Sequence, residues 1–141
     1  MPKIRAGGTE LEYEVSGPAK GTPLLFINGF GSQMISWPHQ FFDALTDAGL
    51  RVVRFDNRDV GLSQRWHGIV PDIREVMKTA RAGGKPDVPY TLNEMAADAA
   101  GLLDALGIED AHVSGCSMGG MIAQLLALNH PEIGRAACRE R

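Results

Sequence analysis

Hydrophobic positions along the chain recur with two different periods. Leu11, Tyr13 and Val15 alternate with glutamates, and this period of two predicts an opening strand at a sheet edge, with one face in water. A short apolar run at residues 24–27 predicts a buried strand, and two further short segments, residues 51–55 and 111–114, are also predicted to be strands. Each of the three segments leads directly into a polar or glycine-rich loop, as expected where a strand is followed by a loop and a helix.

Apolar residues at helical spacing follow each of these three strands. The spacing predicts helices at residues 37–48, 92–106 and 118–129. Thr91 and Glu94 form a capping-box sequence before the second of them, and Gly107 ends it. A shorter helix candidate, residues 72–82, lies in the irregular stretch 64–90, which we interpret as an excursion from the same domain. Strands that alternate with helices favour an α/β fold whose mostly parallel sheet is covered on both faces.

Composition narrows the class of protein and its partners. With 141 residues, 44% hydrophobic and 22% charged, the chain is typical of one soluble globular domain. A net charge of -3 with scattered lysines and arginines argues against nucleic acid or anionic lipid as a partner. No apolar run approaches the roughly 20 residues that span a membrane, and no secretory signal opens the chain, so we expect a cytoplasmic location.

The sequence contains no pattern that calls for a metal or a cofactor. Its two cysteines, Cys116 and Cys138, do not form a CxxC pair, and no histidine-cysteine cluster has ligand spacing. We therefore expect no disulfide framework, no zinc site and no cofactor.

A G-x-S-x-G sequence centred on Ser117 follows a predicted strand and precedes a predicted helix. This context predicts a nucleophile elbow, a tight turn that strains the serine backbone and leaves room only for small neighbours. The requirement explains Gly115, Gly119 and the additional Gly120. Ser117 is the candidate nucleophile, and the backbone N–H of Met118, at the helix N-terminus, is a candidate donor to an oxyanion.

Residues 11–131 resemble the α/β-hydrolase fold family, of the serine-esterase type. Within this region, residues 26–124, notably 49–59 and 111–119, are most similar to the bacterial branch that includes aclacinomycin methylesterase, with proline iminopeptidases and haloperoxidase-like perhydrolases as relatives. The resemblance implies hydrolysis of a small-molecule carboxylic ester through an acyl-enzyme on Ser117. Epoxide hydrolases and haloalkane dehalogenases of this fold use an aspartate nucleophile, so the serine argues against both.

The resemblance also implies a role for the loop that follows the strand at residues 24–27. It implies that the backbone N–H of Phe30 is the second oxyanion donor, in a loop that Gly29 shapes. Asn28 stands where the family usually has a histidine, which structures the loop and is not the catalytic base. Residues 56–63 resemble the family's D-x-R-G-x-G-x-S turn, which we interpret as structural because an arginine holds a neighbouring carboxylate ionised.

Three alternatives to an esterase remain at this point. The first is a non-catalytic binding protein of the same fold, against which an intact elbow with two oxyanion donors argues. The second is another serine hydrolase activity, such as an aminopeptidase or a perhydrolase. The third is a short stand-alone protein with no hydrolytic role.

None of the four histidines is placed to act as the base of a catalytic triad. The family order is serine, acid, histidine, so both partners of Ser117 are expected after it. His130 lies about 20 Å down the predicted helix and His112 about 16 Å back along the strand. His39 and His67 are expected in solvent, and the alternative for His67, which follows the C-terminal end of a strand, is that it faces the site. We therefore expect residues 1–132 to be the N-terminal half of one α/β-hydrolase domain, truncated after the elbow helix and inactive alone.

Residues 133–141 differ in character from the rest of the chain. They lack the apolar run expected of the next strand, and they are similar to the translation of a sequencing-adapter oligonucleotide. We expect a non-native tail, with a genuine surface tail as the alternative. Without a further strand, the strand at 111–114 is expected to have an open edge, so the isolated chain would aggregate or fold poorly.

Overall fold

The computed structural model describes residues 2–133 and the backbone of residues 136–139. The strands are β1 Lys3–Ala6, β2 Thr9–Ser16, β3 Thr22–Ile27, β4 Leu50–Phe55, β5 His112–Cys116 and β6 Ala136–Arg139. The helices are α1 His39–Asp47, α2 Ile73–Arg81, α3 Leu92–Ala105 and α4 Met118–Asn129, with short 3-10 helices at Met34–Ser36 and Pro131–Ile133. Every predicted helix and buried strand is therefore present, within a few residues of its predicted bounds. Among the described residues no helix combines the length and the apolar character needed to cross a bilayer.

The strands form one sheet in the order β1-β2-β4-β3-β5-β6. β2 pairs antiparallel with both β1 and β4, whereas β3 pairs parallel with β4 and β5. This mostly parallel sheet with helices on both faces confirms the predicted fold class. The prediction that β2 is an edge strand with one face in water is wrong, because β1 lies outside it and Glu12 is buried. A four-residue strand that reads Lys-Ile-Arg-Ala carries too little apolar pattern to be recognised in advance.

The strand after α4 corrects a second prediction. β6 pairs parallel with β5, with Val113 opposite Ala136, so the expectation that no strand follows α4 and that β5 has an open edge is wrong. Ladder hydrogen bonds use backbone groups, so a short stretch without an apolar run can still pair. Residues 134, 135, 140 and 141 lie outside the described residues, and the non-native origin of residues 133–141 stays a prediction.

Two apolar clusters hold the helices on opposite faces of the sheet. The larger cluster joins β3, β4 and β5 to α3 and α4 through residues such as Leu25, Val53, Leu102, Ile122 and Leu126. The smaller cluster packs α1 on the other face through Phe26, Phe42 and Val52. The carboxyl ends of β3, β4 and β5 consequently lie side by side at one edge of the sheet, where ligands bind in open α/β folds.

Candidate active site

Ser117 lies in the sharp turn between β5 and α4. Its backbone has φ 54° and ψ -122°, a left-handed conformation that is rare for a residue with a side chain. The side chain is exposed at the carboxyl edge of the sheet. The structure thus gives Ser117 the strained, accessible position that the motif predicts, while its role as nucleophile stays a prediction.

Three glycines stand close to this turn: a side chain at Gly115 or Gly119 would collide with backbone, and one at Gly29 would be tightly packed. A Cβ at Gly115 would lie 2.1 Å from the carbonyl oxygen of Gly119, and a Cβ at Gly119 would lie 2.1 Å from that of Ile27. A Cβ at Gly29 would lie 3.1 Å from the carbonyl oxygen of Cys116 and 3.3 Å from the Cβ of Ser117. The turn therefore packs directly against the end of β3 and the loop that follows it.

Gly120 contributes to the turn through its backbone. It is buried in the first turn of α4, and its N–H donates to the carbonyl oxygen of Ser117 at 2.8 Å.

Asn28 holds the loop after β3 in place. The side chain is fully buried; its Nδ2 donates to the Phe55 carbonyl at 3.3 Å, and its Oδ1 accepts from Trp37 Nε1 at 2.8 Å. Its own carbonyl accepts from Asn57 Nδ2 at 3.1 Å. Asn28 therefore structures the loop between the ends of β3 and β4, which is the role that the resemblance gives to this position.

A cleft of about 480 Å³ has Met118, the residue that follows Ser117, in its lining. Its lining residues are Phe30, Gly31, Arg58, Asp59, Val60, Tyr90, Thr91, Leu92, Met95 and Met118. Phe30 and Met118, whose backbone N–H groups are the predicted oxyanion donors, thus border the same cavity. Both residues lie in the lining of this mainly apolar cleft, and their roles as oxyanion donors stay predictions.

Arg58, which lines this cleft, is held in place by four side chains that are not adjacent to it in sequence. Its Nε and one terminal nitrogen donate to the two carboxylate oxygens of Asp98 at 2.7 and 2.8 Å, and that same nitrogen donates to Thr9 Oγ1 at 3.1 Å. The rings of Trp66 and Tyr90 lie 4.5 and 4.7 Å from the guanidinium carbon. The turn is built as a fixed structure, but its arginine pairs with Asp98 of α3 and not with a carboxylate of the turn.

Sequence reasoning missed Asp98 as the partner of Arg58. The available signal was a carboxylate in α3 at a position where Met95, Ala99 and Leu102 mark the buried face. A charged side chain on such a face requires a partner of opposite charge.

The turn after β4 contains two more bound carboxylates. Asp56 is buried and accepts from the N–H of Met34 at 2.7 Å; burial, reinforced by nearby Glu12, raises the pKa of its carboxyl above the ordinary value of 3.8. Asp59 has φ 64° and accepts from the Tyr90 hydroxyl at 2.6 Å. Burial and then the Asp59 carboxylate raise the pKa of Tyr90 to about 12, so Tyr90 stays a donor at neutral pH.

The histidines of the described part of the chain stay away from the cleft. His39, His67 and His112 are exposed, and the Nδ1 of His130 lies 3.5 Å from a carboxylate oxygen of Glu132. His67 borders a separate surface groove and does not line the cleft. Within the described residues there is also no group of three or more histidine, cysteine, aspartate or glutamate side chains arranged to hold a metal ion.

Comparison with known proteins agrees with this geometry. The profile of the alpha/beta hydrolase fold family matches residues 22–138. The chain is 38% identical over 116 residues to rhodomycin D methylesterase DauP from Streptomyces sp. strain C5, which covers 82% of this chain and 33% of the relative. It is 31% identical over 131 residues to epoxide hydrolase B from Mycobacterium tuberculosis, which covers 92% of this chain and 32% of the relative.

Comparison with a solved structure also shows similarity to a hydrolase. The enol-lactonase from Burkholderia xenovorans LB400 superposes with a TM-score of 0.73 at 30% identity, over 96% of this chain and 45% of that one. The chain belongs to the alpha/beta hydrolase fold family. It spans between about a third and less than half of the length of these relatives.

Proposed function

We propose that the whole protein is a serine hydrolase of small-molecule carboxylic esters and that this chain supplies its nucleophile, Ser117, and its oxyanion site. The observation that carries the proposal is the backbone of Ser117, held at φ 54° in an exposed strand-to-helix turn whose glycines have no room for side chains. Strain of this kind at an exposed serine is typical of a functional position, since the surrounding structure has to maintain it.

In the proposed reaction the Oγ of Ser117 attacks the ester carbonyl while a base takes its proton. The carbonyl oxygen becomes an oxyanion, and the N–H groups of Met118 and Phe30 stabilise that charge. The bond to the alcohol breaks, the alcohol leaves with the proton, and water then releases the acid and restores Ser117. None of the histidines in the described residues borders the cleft, so the proposal takes the base and its acidic partner from elsewhere in the whole protein.

Two features favour ester hydrolysis over the other reactions of this fold. DauP is named as a methylesterase and the Burkholderia protein as an enol-lactonase, and both names denote hydrolysis of an ester bond, which in a lactone is cyclic. Epoxide hydrolases of this fold attack with an aspartate, whereas the elbow here carries a serine. The relative from Mycobacterium tuberculosis therefore shares the fold and not the proposed chemistry.

Ester hydrolysis by the complete gene product tests the proposal. We expect turnover of 4-nitrophenyl butyrate, and Ser117→Ala is expected to lower kcat/KM by about 1,000-fold or more, because the attacking oxygen is lost while the cleft is unchanged. Ser36→Ala is the matched control, since Ser36 is exposed in the Met34–Ser36 helix and does not border the cleft. A Ser117→Ala protein with the activity of the wild type would refute the proposal.

A further inference from the structure

The charged residues in the wall of the cleft are Arg58 and its sequence neighbour Asp59. Arg58 also binds, through two nitrogens, the carboxylate of Asp98, which does not line the cleft. The Arg58–Asp98 pair is buried on both sides, with about 7% of each side chain exposed. The charge of Arg58 is therefore largely balanced before any ligand enters the cleft.

Arg58 also has little surface left with which to bind an anion. Thr9 Oγ1 accepts from the nitrogen that binds Asp98, and the rings of Trp66 and Tyr90 cover the guanidinium. A carboxylate on a substrate would have to displace Asp98 to obtain the paired hydrogen bonds that arginine offers.

Among the described residues, the carboxylate of Asp59 binds neutral donors and no cation. Its Oδ2 accepts from the Tyr90 hydroxyl at 2.6 Å and its Oδ1 accepts from the N–H of Trp66 at 2.8 Å. Arg65, the other cation of this turn, donates to the backbone carbonyls of Asp59 and Gly61 from the exposed side. The charge that this wall presents to the cleft is consequently negative.

The rest of the cleft offers mainly apolar surface. Val60, Leu92, Met95, Met118 and Phe30 supply it, next to the turn that holds Ser117. We infer that the cleft binds an uncharged, apolar part of the ester, and that Asp59 is the specificity-determining residue that disfavours substrates with a carboxylate in that part. A carboxylate there would lose its hydration and would meet a like charge, both of which raise the free energy of the complex.

This inference rests on the proposed function, and a matched pair of substrates tests it. 4-Nitrophenyl butyrate and 4-nitrophenyl hemisuccinate carry the same leaving group and acyl chains of four carbons, but the second ends in a carboxylate. For the complete gene product we expect kcat/KM to be at least about tenfold higher for the butyrate. Equal values, or a preference for the hemisuccinate, would overturn the inference.

Substitutions at Asp59 and Tyr90 separate the effect of the charge of Asp59 on the substrate preference from the effect of the shape of the cleft. Asp59→Asn removes the charge and keeps the backbone, because asparagine tolerates a positive φ; we expect the butyrate-to-hemisuccinate ratio to fall by about threefold or more. Tyr90→Phe removes a donor and leaves the charge of Asp59, so the ratio is expected to stay the same or to rise. Asp87→Asn, the matched control, removes a charge from an exposed position outside the cleft and should leave the ratio within about 1.5-fold.

The outcomes distinguish this inference from the proposed function. If Ser117→Ala retains activity on both esters, the proposed function fails. If Ser117→Ala is inactive but Asp59→Asn leaves the ratio unchanged, the role of Asp59 is refuted and the proposed function stands. A ratio that falls in Tyr90→Phe as far as in Asp59→Asn would likewise refute the role of the Asp59 charge.

Discussion

At the scale of single residues, the site depends on positions where a side chain is absent. Gly115 and Gly119 let the first turn of α4 lie directly on the ends of β3 and β5. Ser117 keeps its left-handed backbone because these neighbours fix the turn from both sides. The exposed position of the serine is therefore a consequence of close backbone packing. This packing requires glycine at positions 115 and 119.

Gly115→Ala tests this packing. The added Cβ would lie 2.1 Å from the Gly119 carbonyl oxygen, so the backbone would have to move. We expect the free energy of unfolding of the complete gene product to fall by about 3 kcal/mol, measured by urea denaturation, with loss of activity. Gly8→Ala is the control, because nothing lies within 4 Å of its added Cβ, and it should change stability by less than about 0.5 kcal/mol. Equal stabilities for the two variants would contradict the account.

At the scale of secondary structure, α3 connects the core to the cleft. Leu92 and Met95 of its first turn border the cleft, and Asp98 one turn later holds Arg58. The start of α3 is fixed by the predicted capping box, in which Thr91 and Glu94 bind each other reciprocally. Stability at this helix N-terminus is thus coupled to the shape of the cleft.

The capping box predicts that the free energy of unfolding depends on pH. The Thr91 hydroxyl and then its N–H lower the pKa of Glu94 below the ordinary value of 4.5. A lowered pKa in the folded state means that the stabilisation is fully present above 4.5 and is lost as the pH falls through the folded value. We expect Glu94→Gln to lower the free energy of unfolding at pH 7 by less than about 0.5 kcal/mol, because glutamine keeps the capping hydrogen bond and water screens the exposed charge, and we expect this difference to shrink in acid.

Denaturation of wild type and Glu94→Gln at pH 7 and at pH 3 measures this effect. Glu109→Gln, which changes an exposed carboxylate in the turn after α3, is the control and should show no such change with pH. A Glu94→Gln difference that is equal at both pH values would exclude an ionised Glu94 as the source of the stabilisation.

At the scale of the whole molecule, the parallel pairing of β3, β4 and β5 brings together loops that are far apart in sequence. The loop at Asn28, the turn at Asp56 and the elbow at Ser117 meet at one sheet edge because parallel strands end on the same side. Asn28 and Asn57 connect the first two loops directly. The cleft is thus a property of the sheet topology and not of any one segment.

The sequence predicts the parts of this architecture that depend on local pattern. Apolar runs identify β3, β4 and β5, helical periodicity identifies the four α-helices, and the spacing of glycines around Ser117 identifies the elbow. Each of these signals lies within a window of about 15 residues, so it can be detected without knowledge of the fold.

The features that were not predicted depend on contacts between distant residues. β1 and β6 are short and carry little apolar pattern, and they form because a neighbouring strand offers backbone partners. The Arg58–Asp98 pair joins residues 40 positions apart, and the Tyr90–Asp59 bond joins residues 31 positions apart. Periodicity contains no information on such pairs, which join residues of the cleft lining to the rest of the fold.

Covalent labelling of the complete gene product tests the central claim most directly. A fluorophosphonate reacts with a serine whose hydroxyl is activated as a nucleophile, and peptide mass spectrometry then locates the adduct. We predict stoichiometric labelling on the peptide that contains Ser117, parallel loss of esterase activity, and no adduct in Ser117→Ala. Labelling at another serine, or full activity in protein that is modified at Ser117, would contradict the assignment of Ser117 as the nucleophile.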